Sequence, residues 1–359
     1  MPRRARALVM DLISRGREAG TPEAEAARRS VARFLTELGY IVQEHSFRFN
    51  AGVYRLLAAA GALLAGVALV EIPLLQHTAP AWGALVVLLA LAGTIVVVTG
   101  LIVRGYRGPG PVRVDANLIA SRPGSTVRCW LVAHLDTKAQ AQSMAGRLVA
   151  VWVTVLAVTA LLVSALLRTG HPLSAGPAAA AGAAGVLAGV LLSRGRLSGS
   201  SPGARDNGSG LLAVLTAAEL ATDPSIGVIV TGAEEFGLVG ARALARERPG
   251  LFAGALVVNV DTVDDTGTLY VVTHGPASAD LAARVRDAVA GLAPVIRQRR
   301  LPLGIMVDGL PLSHVACESV TLGRLDWGTL TRIHTPRDDA DGYHLGTAER
   351  LGERLARPI

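Results

Sequence analysis

Four long apolar runs stand out in a chain that otherwise alternates between apolar and polar positions over short distances. They cover residues 56–75, 82–103, 148–167 and 178–192. A helix needs about twenty apolar residues to cross the hydrocarbon core of a bilayer, and three of the runs reach that length. Because short links join the runs in pairs, the pattern predicts two transmembrane helical hairpins, at residues 53–103 and 146–193.

The fourth run is the shortest and is rich in alanine and glycine. Gly185 and Gly189 are four residues apart, a spacing that favours close packing against another membrane helix. The alternative interpretation of this run is a flexible Ala/Gly linker. In the first run, Glu71 stands near the end, where we expect it at the membrane interface.

The remaining segments have the patterning of an α/β domain. Helical spacing predicts a helix over residues 22–38, with Thr21 as its cap and Gly39 as its stop. Alternation over 40–49 predicts a half-buried strand. From Ser193 onward, strand-like and helical runs alternate, which indicates a doubly wound, mostly parallel central sheet flanked by helices. The predicted domain is assembled from residues 1–52, 104–145 and 194–359.

Composition supports a chain that is partly in a membrane. Hydrophobic residues make up 51% of the 359 residues, and charged residues still make up 18%. The net charge of +7 is carried almost entirely by arginine, since Lys138 is the only lysine. Such a charge fits either nucleic acid or an anionic lipid surface. With 4% aromatic residues and no nucleic-acid motif, a lipid bilayer is the expected partner and nucleic acid is not.

The arginines near the hairpins predict a topology. Residues 1–22 lack the continuous apolar stretch of a secretory signal, and the short links opposite the domain carry only Arg168. The positive-inside rule therefore places the domain in the cytoplasm. The arginines that flank the hairpins on the domain side are Arg55, Arg104, Arg107, Arg147, Arg194 and Arg196.

The two cysteines, Cys129 and Cys317, are expected as buried thiols in a reducing compartment.

The most informative loop covers residues 203–210, where Asp206 stands among glycines and other small residues. Glycines allow backbone to pack closely around a carboxylate that accepts bonds from two directions. This predicts a ligand that bridges two metal ions. An N-cap of the following helix is the alternative, because aspartate is also a good cap.

Other polar side chains recur where predicted strands end, and they favour the metal interpretation. Ligands of open α/β sheets bind beyond the carboxyl ends of the strands, and buried carboxylates are costly unless a cation holds them. Nitrogen and oxygen ligands alone indicate zinc or a similar ion, and a shared carboxylate suits two ions. The residues concerned are His134, Asp136, Glu234, Glu235, Asp261 and His334.

Chemistry suggests a role for several of these side chains. His134 is a neutral imidazole ligand, and Asp136 is suited to accept its other ring N–H and fix the tautomer. One of the two adjacent glutamates is expected to bind metal while the other acts as general base. The residues alone leave open which of Glu234 and Glu235 does which.

Five motifs in order, AHLDT, GARDNGSG, TGAEEFGLVGAR, NVDT and IHTPRDD, resemble metallopeptidase family 28, the co-catalytic zinc aminopeptidases. The resemblance covers approximately residues 10–52, 104–140 and 200–359. It implies hydrolysis of peptide substrates, commonly releasing the N-terminal residue, with Glu234 as general base and Asp136 orienting His134. It also implies two zinc ions, one bound by His134, Asp206 and Asp261 and the other by Asp206, Glu235 and His334.

The chain departs from the family at the substrate pocket. Where the family commonly has Ser-Asp-His followed by an aromatic residue, this chain has Leu312-Ser313-His314-Val315. Only His314, among the histidines outside the ligand set, falls where the family places pocket residues. We expect His45, His274 and His344 on the surface or in loops.

The alternatives to an aminopeptidase are a carboxypeptidase or glutaminyl cyclase on the same fold, and a non-catalytic scaffold or receptor-like relative.

The second hairpin is inserted between Asp136 and Asp206, in a loop at the predicted catalytic end of the sheet. We therefore expect the mouth of the active site to face the bilayer, and substrates to include membrane-associated peptides. No feature of the sequence predicts an oligomeric state.

Overall fold

The computed structural model describes residues 3–50, 53–76, 81–103, 110–167, 173–275, 278–302 and 305–359. Of the arginines used to predict topology, Arg104, Arg107, Arg168 and the side chain of Arg55 lie outside this description. The chain divides into two compact units. The sheet unit contains Met1–Phe49, Val112–Ala139 and Gly199–Ile359, and the helical unit contains Asn50–Pro111 and Gln140–Ser198.

The sheet unit is built on one mixed sheet. Its strands are β1 (Ile41–Asn50), β2 (Val112–Ser121), β3 (Cys129–His134), β4 (Ile226–Thr231), β5 (Leu256–Val263), β6 (Thr268–Thr273), β7 (Ile296–Arg300) and β8 (Glu318–Leu325). Their order across the sheet is β1-β2-β4-β3-β5-β8-β6-β7. The four central strands are parallel, as predicted. Towards the edges, β2 is antiparallel to β4 and β6 is antiparallel to β8.

The α-helices of the described residues are, in chain order, α1 (Arg4–Leu12), α2 (Pro22–Glu37), α3 (Val53–Gln76), α4 (Ala81–Val103), α5 (Met144–Leu167), α6 (Ala175–Ser193), α7 (Gly210–Leu220), α8 (Val239–Glu247), α9 (Ala279–Ala288), α10 (Gly309–Leu312), α11 (Trp327–Leu330) and α12 (Gly346–Leu355). The hydroxyl of Thr21 accepts the backbone N–H of Ala24 and caps α2, as predicted. Gly39 follows the helix at φ +85°, a conformation that glycine adopts without strain.

Helices cover both faces of the sheet. On β3, Leu131 packs into one apolar cluster with residues of α1, α2, α7, α9 and α12. Its neighbours Trp130 and Val132 pack into a second cluster with residues of α8 and α10. All six residues of β3 are buried, which explains why this strand reads as a continuous apolar run. The prediction of a central sheet flanked by helices is confirmed.

The helical unit consists of α3, α4, α5 and α6, which coincide closely with the four apolar runs. Among the described residues, α5 and α6 are long and apolar enough to cross a membrane, with mean hydropathies of 2.5 and 1.7. Helices α3 and α4 contain shorter apolar stretches, Ala58–Ile72 and Trp82–Val97. The fourth run is therefore a helix and not a flexible linker.

Small residues line the contact between α3 and α6. A Cβ atom added to Gly189 would lie 2.4 Å from the carbonyl oxygen of Gly61, and one on Gly185 would lie 2.5 Å from the Cβ of Ala68. These distances leave no room for a side chain, so the predicted small-residue face brings the two backbones together. Glu71 on α3 is fully buried, and its expected place at the membrane interface stays a prediction.

Two smaller expectations also need correction. Cys129 is buried, but Cys317 is exposed because it lies in the turn before β8 and not within the strand. His45 is buried in β1, where its Nε2 lies 3.0 Å from a carboxylate oxygen of Glu247. Its side chain points to the covered face of the strand, where the amide of Asn117 also contacts it.

Candidate metal centre

The predicted ligands converge at the carboxyl end of the central strands. His134 is the last residue of β3, and Asp261 lies in β5, the strand beside it. Glu234 and Glu235 follow β4, on the other side of β3. Asp206 lies in the irregular turn Ala204–Ser209 before α7, and His334 follows α11. Parallel neighbours end at the same edge of a sheet, which is why residues far apart in the sequence meet here.

Asp206 lies between two histidines. Its Oδ1 is 3.1 Å from Nε2 of His134, and its Oδ2 is 3.3 Å from Nε2 of His334. The alternative role as a helix cap belongs instead to Asn207, whose Oδ1 accepts the backbone N–H of Gly210 at 3.0 Å. Asp206 therefore directs its two oxygens to two separate imidazoles, as a bridging ligand would.

The orientation of the His134 ring shows that this position suits a cation. Nδ1 lies 3.0 Å from the backbone carbonyl oxygen of Asp136, and a carbonyl only accepts, so Nδ1 carries the hydrogen. Nε2 then presents a lone pair to Asp206 at 3.1 Å and to Asp261 at 3.6 Å. Three electron-rich atoms in such contact need a proton or a metal ion between them, and this donor set fits zinc.

Asp136 acts differently from the expectation. Its carboxylate lies 3.8 Å from Nδ1 of His134, beyond hydrogen-bond distance, and only its backbone carbonyl contacts the ring. The two carboxylate oxygens accept the backbone N–H groups of Glu234 at 3.0 Å and Glu235 at 3.1 Å. Because β3 and β4 are parallel neighbours, the loops that follow them meet, and Asp136 holds the glutamate pair in place.

Glu235 and His334 form the second part of the cluster with Asp206. Oε1 of Glu235 lies 3.2 Å from Nε2 of His334, while its Oε2 accepts a hydrogen bond from Nζ of Lys138 at 2.7 Å. Burial acts to raise the pKa of Glu235, but His334 and Lys138 lower it to about 2. Glu235 is therefore ionised at neutral pH, with one oxygen directed to the cluster and the other held by the lysine.

Glu234 lies beside the first part of the cluster. One of its oxygens is within 4.8 Å of ligand atoms of His134 and Asp261. Burial raises the pKa of Glu234 well above its ordinary value, and the nearby carboxylates of Glu235 and Asp261 raise it further. A raised pKa makes a carboxylate a stronger base, which is the property that proton abstraction from water requires.

The structure brings to the site two buried acids for which the sequence predicts no role. The carboxylate of Asp338 accepts the backbone N–H groups of Arg205 at 2.8 Å and Asp206 at 3.1 Å. Asp308 is fully buried and accepts a hydrogen bond from the hydroxyl of Thr231, at the end of β4. Burial raises the pKa of Asp308 to about 6. The sequence signal that could have identified Asp308 is its position as a single acid in the apolar segment before α10.

His314 is exposed, and it follows α10 by two residues. The residue near this helix that approaches the cluster is Asp308, at the start of α10, because its carboxyl interacts electrostatically with His134 and Asp261. The role of His314 in the substrate pocket stays a prediction.

Backbone strain is concentrated in the ligand loops. Ala233, Thr262 and His334 have φ angles of 51°, 57° and 66°, in the left-handed region that residues other than glycine rarely adopt. Ala233 directly precedes Glu234, Thr262 directly follows Asp261, and His334 is itself a candidate ligand. Strain of this kind persists where surrounding contacts fix the backbone, and it commonly marks functional sites.

A sheet with a parallel centre carries a buried cluster of carboxylates and imidazoles at its carboxyl end, and together they form a candidate metal centre. Residues 117–358 match the model of peptidase family M28. The chain belongs to this family, and the resemblance to metallopeptidase family 28 is confirmed. Among curated proteins, none matches the sequence.

Solved structures share the fold at low identity. A leucine aminopeptidase precursor from Bacteroides thetaiotaomicron is 16% identical with a TM-score of 0.56, over 98% of this chain and 94% of that one. A glutaminyl cyclase from Porphyromonas gingivalis is 16% identical with a TM-score of 0.57, over 98% and 95%. A Zn-dependent exopeptidase from Parabacteroides distasonis is 14% identical with a TM-score of 0.57, over 98% and 95%.

Proposed function

We propose that this chain is a membrane-anchored, zinc-dependent exopeptidase of the aminopeptidase type. The observation that carries the proposal is the position of Asp206 between His134 and His334, with Glu234 beside the cluster. Family membership supports the peptidase class, and the fold of known aminopeptidases supports the exopeptidase assignment.

Two zinc ions fit the donor set. His134, Asp206 and Asp261 would hold one ion, and Asp206, Glu235 and His334 would hold the other. When bound, the ions supply Lewis-acid activation of water and of the substrate carbonyl. Lys138 holds the second oxygen of Glu235, so this glutamate offers the cluster one oxygen.

Glu234 is the proposed general base. It takes a proton from the attacking water as the new C–O bond forms at the scissile carbonyl. It then returns that proton to the departing amine as the C–N bond breaks, so water is consumed and a carboxylate and an amine are released. Asp136 keeps Glu234 in position through the backbone N–H of that residue.

The test measures zinc content and hydrolysis of a panel of aminoacyl substrates, using purified full-length protein in detergent. Glu234→Gln should retain zinc and lose activity by roughly 10²–10⁴-fold, the usual effect of removing a general base. Glu23→Gln changes an exposed glutamate in the same way and should be fully active. Absence of zinc from the wild type would contradict the enzyme assignment and favour the non-catalytic alternative.

Glutaminyl cyclase activity is the second candidate, because cyclases from two organisms share the fold as closely as the aminopeptidases do. Cyclisation of an N-terminal glutamine releases ammonia and consumes no water. Peptides that begin with glutamine therefore separate the two activities in the same assay. Zinc with turnover of neither substrate class would favour a carboxypeptidase.

The arrangement of apolar residues in the helical unit supports the membrane anchor. The residues that pack inside it are largely alanine, glycine and leucine, for example Gly185 and the cluster of Ala68, Leu161 and Ala181. Large apolar side chains such as Trp82, Trp152 and Leu156 are more than half exposed. Water would disfavour such a surface, whereas a lipid bilayer accommodates it. The lipid bilayer is therefore the proposed partner of this unit.

The cytoplasm is the proposed location of the sheet unit. Among the described residues, Arg147 lies in the first turn of α5, and Arg194 and Arg196 follow the end of α6. Positive charge at these helix ends favours the cytoplasmic side of a membrane.

A further inference from the structure

Arg17 is a fully buried arginine that the proposed mechanism does not use. It lies between α1 and α2, and 1% of its surface is exposed. Among the described residues, all the hydrogen-bond acceptors of its guanidinium are backbone carbonyls. The acceptors, with their distances, are Leu12 (2.9 Å), Leu135 (3.0 Å), Pro202 (2.7 Å) and Gly203 (3.2 Å), and Arg15 lies at the limit of 3.5 Å.

Two of these contacts connect the loops that carry metal ligands. Leu135 follows His134 directly, and Gly203 precedes Asp206 by three residues. One planar guanidinium, whose donors have a fixed geometry, therefore connects both loops by hydrogen bonds. His134 and Asp206, which these loops carry, are ligands of the same proposed ion, so this connection bears on the distance between them.

The backbone of Arg17 adds a second connection. Its N–H donates to the hydroxyl of Thr137 at 2.8 Å, and its carbonyl accepts the N–H of Thr137 at 3.1 Å. Thr137 also packs against Gly203, where an added Cβ would lie 2.2 Å from its methyl carbon. The loop after β3, the loop before α7 and the N-terminal segment therefore form one interlocked group.

Among the described residues, Arg17 has no direct ion pair, and burying an unpaired charge is costly. A neutral residue could fill the same space without that cost, so packing alone does not explain an arginine here. Burial lowers the pKa of Arg17 to about 10, and it still carries its charge at neutral pH. The carboxylates of Asp338, Asp136 and Asp206 are close enough to stabilise that charge.

We infer that Arg17 is a positioning residue that sets the separation of His134 and Asp206, and that the N-terminal segment is part of the metal centre. Residue 17 precedes the part of the chain that matches the family model. The inference rests on the proposed function, because it requires that His134 and Asp206 bind metal.

Zinc affinity, measured by competition with a chromogenic chelator in full-length protein, tests the inference. Arg17→Lys keeps the charge but cannot reach the four carbonyls together. Its zinc affinity should fall 10–100-fold, the usual effect of losing a contact that orients a ligand. Arg15→Lys alters an exposed neighbour and should bind zinc as the wild type does.

A rescue experiment separates positioning from a general loss of structure. Arg17→Ala leaves a cavity of guanidinium shape, and added guanidinium chloride at low, non-denaturing concentration should restore part of its zinc affinity but leave Arg15→Lys unchanged. Unaltered affinity in Arg17→Lys would overturn the inference, as would a loss in Arg17→Ala that guanidinium does not reverse. A wild type that binds no zinc would contradict the proposed function itself, and the inference with it.

Discussion

At the scale of residues, the site is held together by side chains that form hydrogen bonds with backbone groups. Asp136 accepts two successive N–H groups of the loop after β4, and Asp338 accepts two successive N–H groups of the loop before α7. In each case a carboxylate from one ligand loop fixes the backbone of another ligand loop. The geometry of the cluster therefore depends on residues that bind no metal in the proposed assignment.

This arrangement predicts the effect of Asp338→Asn. The asparagine has the same shape, but its NH₂ group would face a backbone N–H that donates to Asp338 in the wild type. That N–H would lose its acceptor. We expect the zinc affinity to fall 10–100-fold in a chelator competition assay, because Asp206 would be displaced. Asp341→Asn, an exposed change in the same loop, is the control. Equal affinities in the two variants would show that the contact with Asp338 is dispensable.

The sequence predicts which residues meet at the site but not how they are held. Strand ends identify His134, Asp261 and the glutamate pair, because the carboxyl ends of parallel strands share one edge. Asp338, Asp308 and Arg17 act through backbone atoms or through residues distant in the chain. Backbone donors and acceptors carry no residue-type signal, and the contact of Asp308 with Thr231 joins residues far apart in the chain, so these roles become visible only in three dimensions.

At the scale of elements, the apolar runs predict the helices well because length and hydropathy determine them. Helix α6 is the informative case, since its composition also allows a linker. Its contact with α3 depends on the absence of side chains at Gly61, Gly185 and Gly189. The burial of Glu71 is the exception, because which side of a helix packs against its neighbours is not fixed by hydropathy alone.

Gly189→Ala tests this packing. The new Cβ would lie 2.4 Å from the carbonyl oxygen of Gly61 and 2.8 Å from the backbone nitrogen of Ala65, so α3 and α6 must separate. Overpacking of this kind costs about 1–3 kcal/mol, and the melting temperature in detergent should fall. Gly176→Ala lies on the same helix with no atom within 4 Å and should be neutral or stabilising. If both variants melt alike, the close approach is not required.

At the scale of the whole molecule, we predict that the cluster of acids makes the stability of the sheet unit depend on metal. Burial raises the pKa of both Glu234 and Asp261, which shows that the cavity disfavours so much negative charge without a cation. A ligand at one hundred times its dissociation constant stabilises a fold by about 2.7 kcal/mol. A chelator should therefore lower the melting temperature, and zinc should restore it.

Calcium serves as the control in that experiment, because it prefers oxygen ligands and does not suit the two imidazoles. A melting curve that is unchanged by the chelator, in protein shown to contain zinc, would contradict the coupling between metal and fold.

The native cysteines allow a direct test of topology. Cys317 is exposed in the sheet unit, whereas Cys129 is buried, and burial raises the pKa of its thiol to about 12. A membrane-impermeant maleimide should label Cys317 only after cells are permeabilised, because we place the sheet unit in the cytoplasm. Cys317→Ser should abolish the labelling. Modification of intact cells would place the unit on the outer side.

The order of strands in the sheet has a consequence for synthesis on the ribosome. Both neighbours of β3 in the sheet, β4 and β5, lie after α5 and α6 in the chain. Strand β4 begins about ninety residues after β3 ends, which at 5–20 residues per second takes roughly 5 to 20 seconds. Throughout that interval both edges of an apolar strand are unpaired while α5 and α6 are being made. Nascent chains should therefore require a chaperone at this stage, and the metal ligands can assemble only after translation has nearly finished.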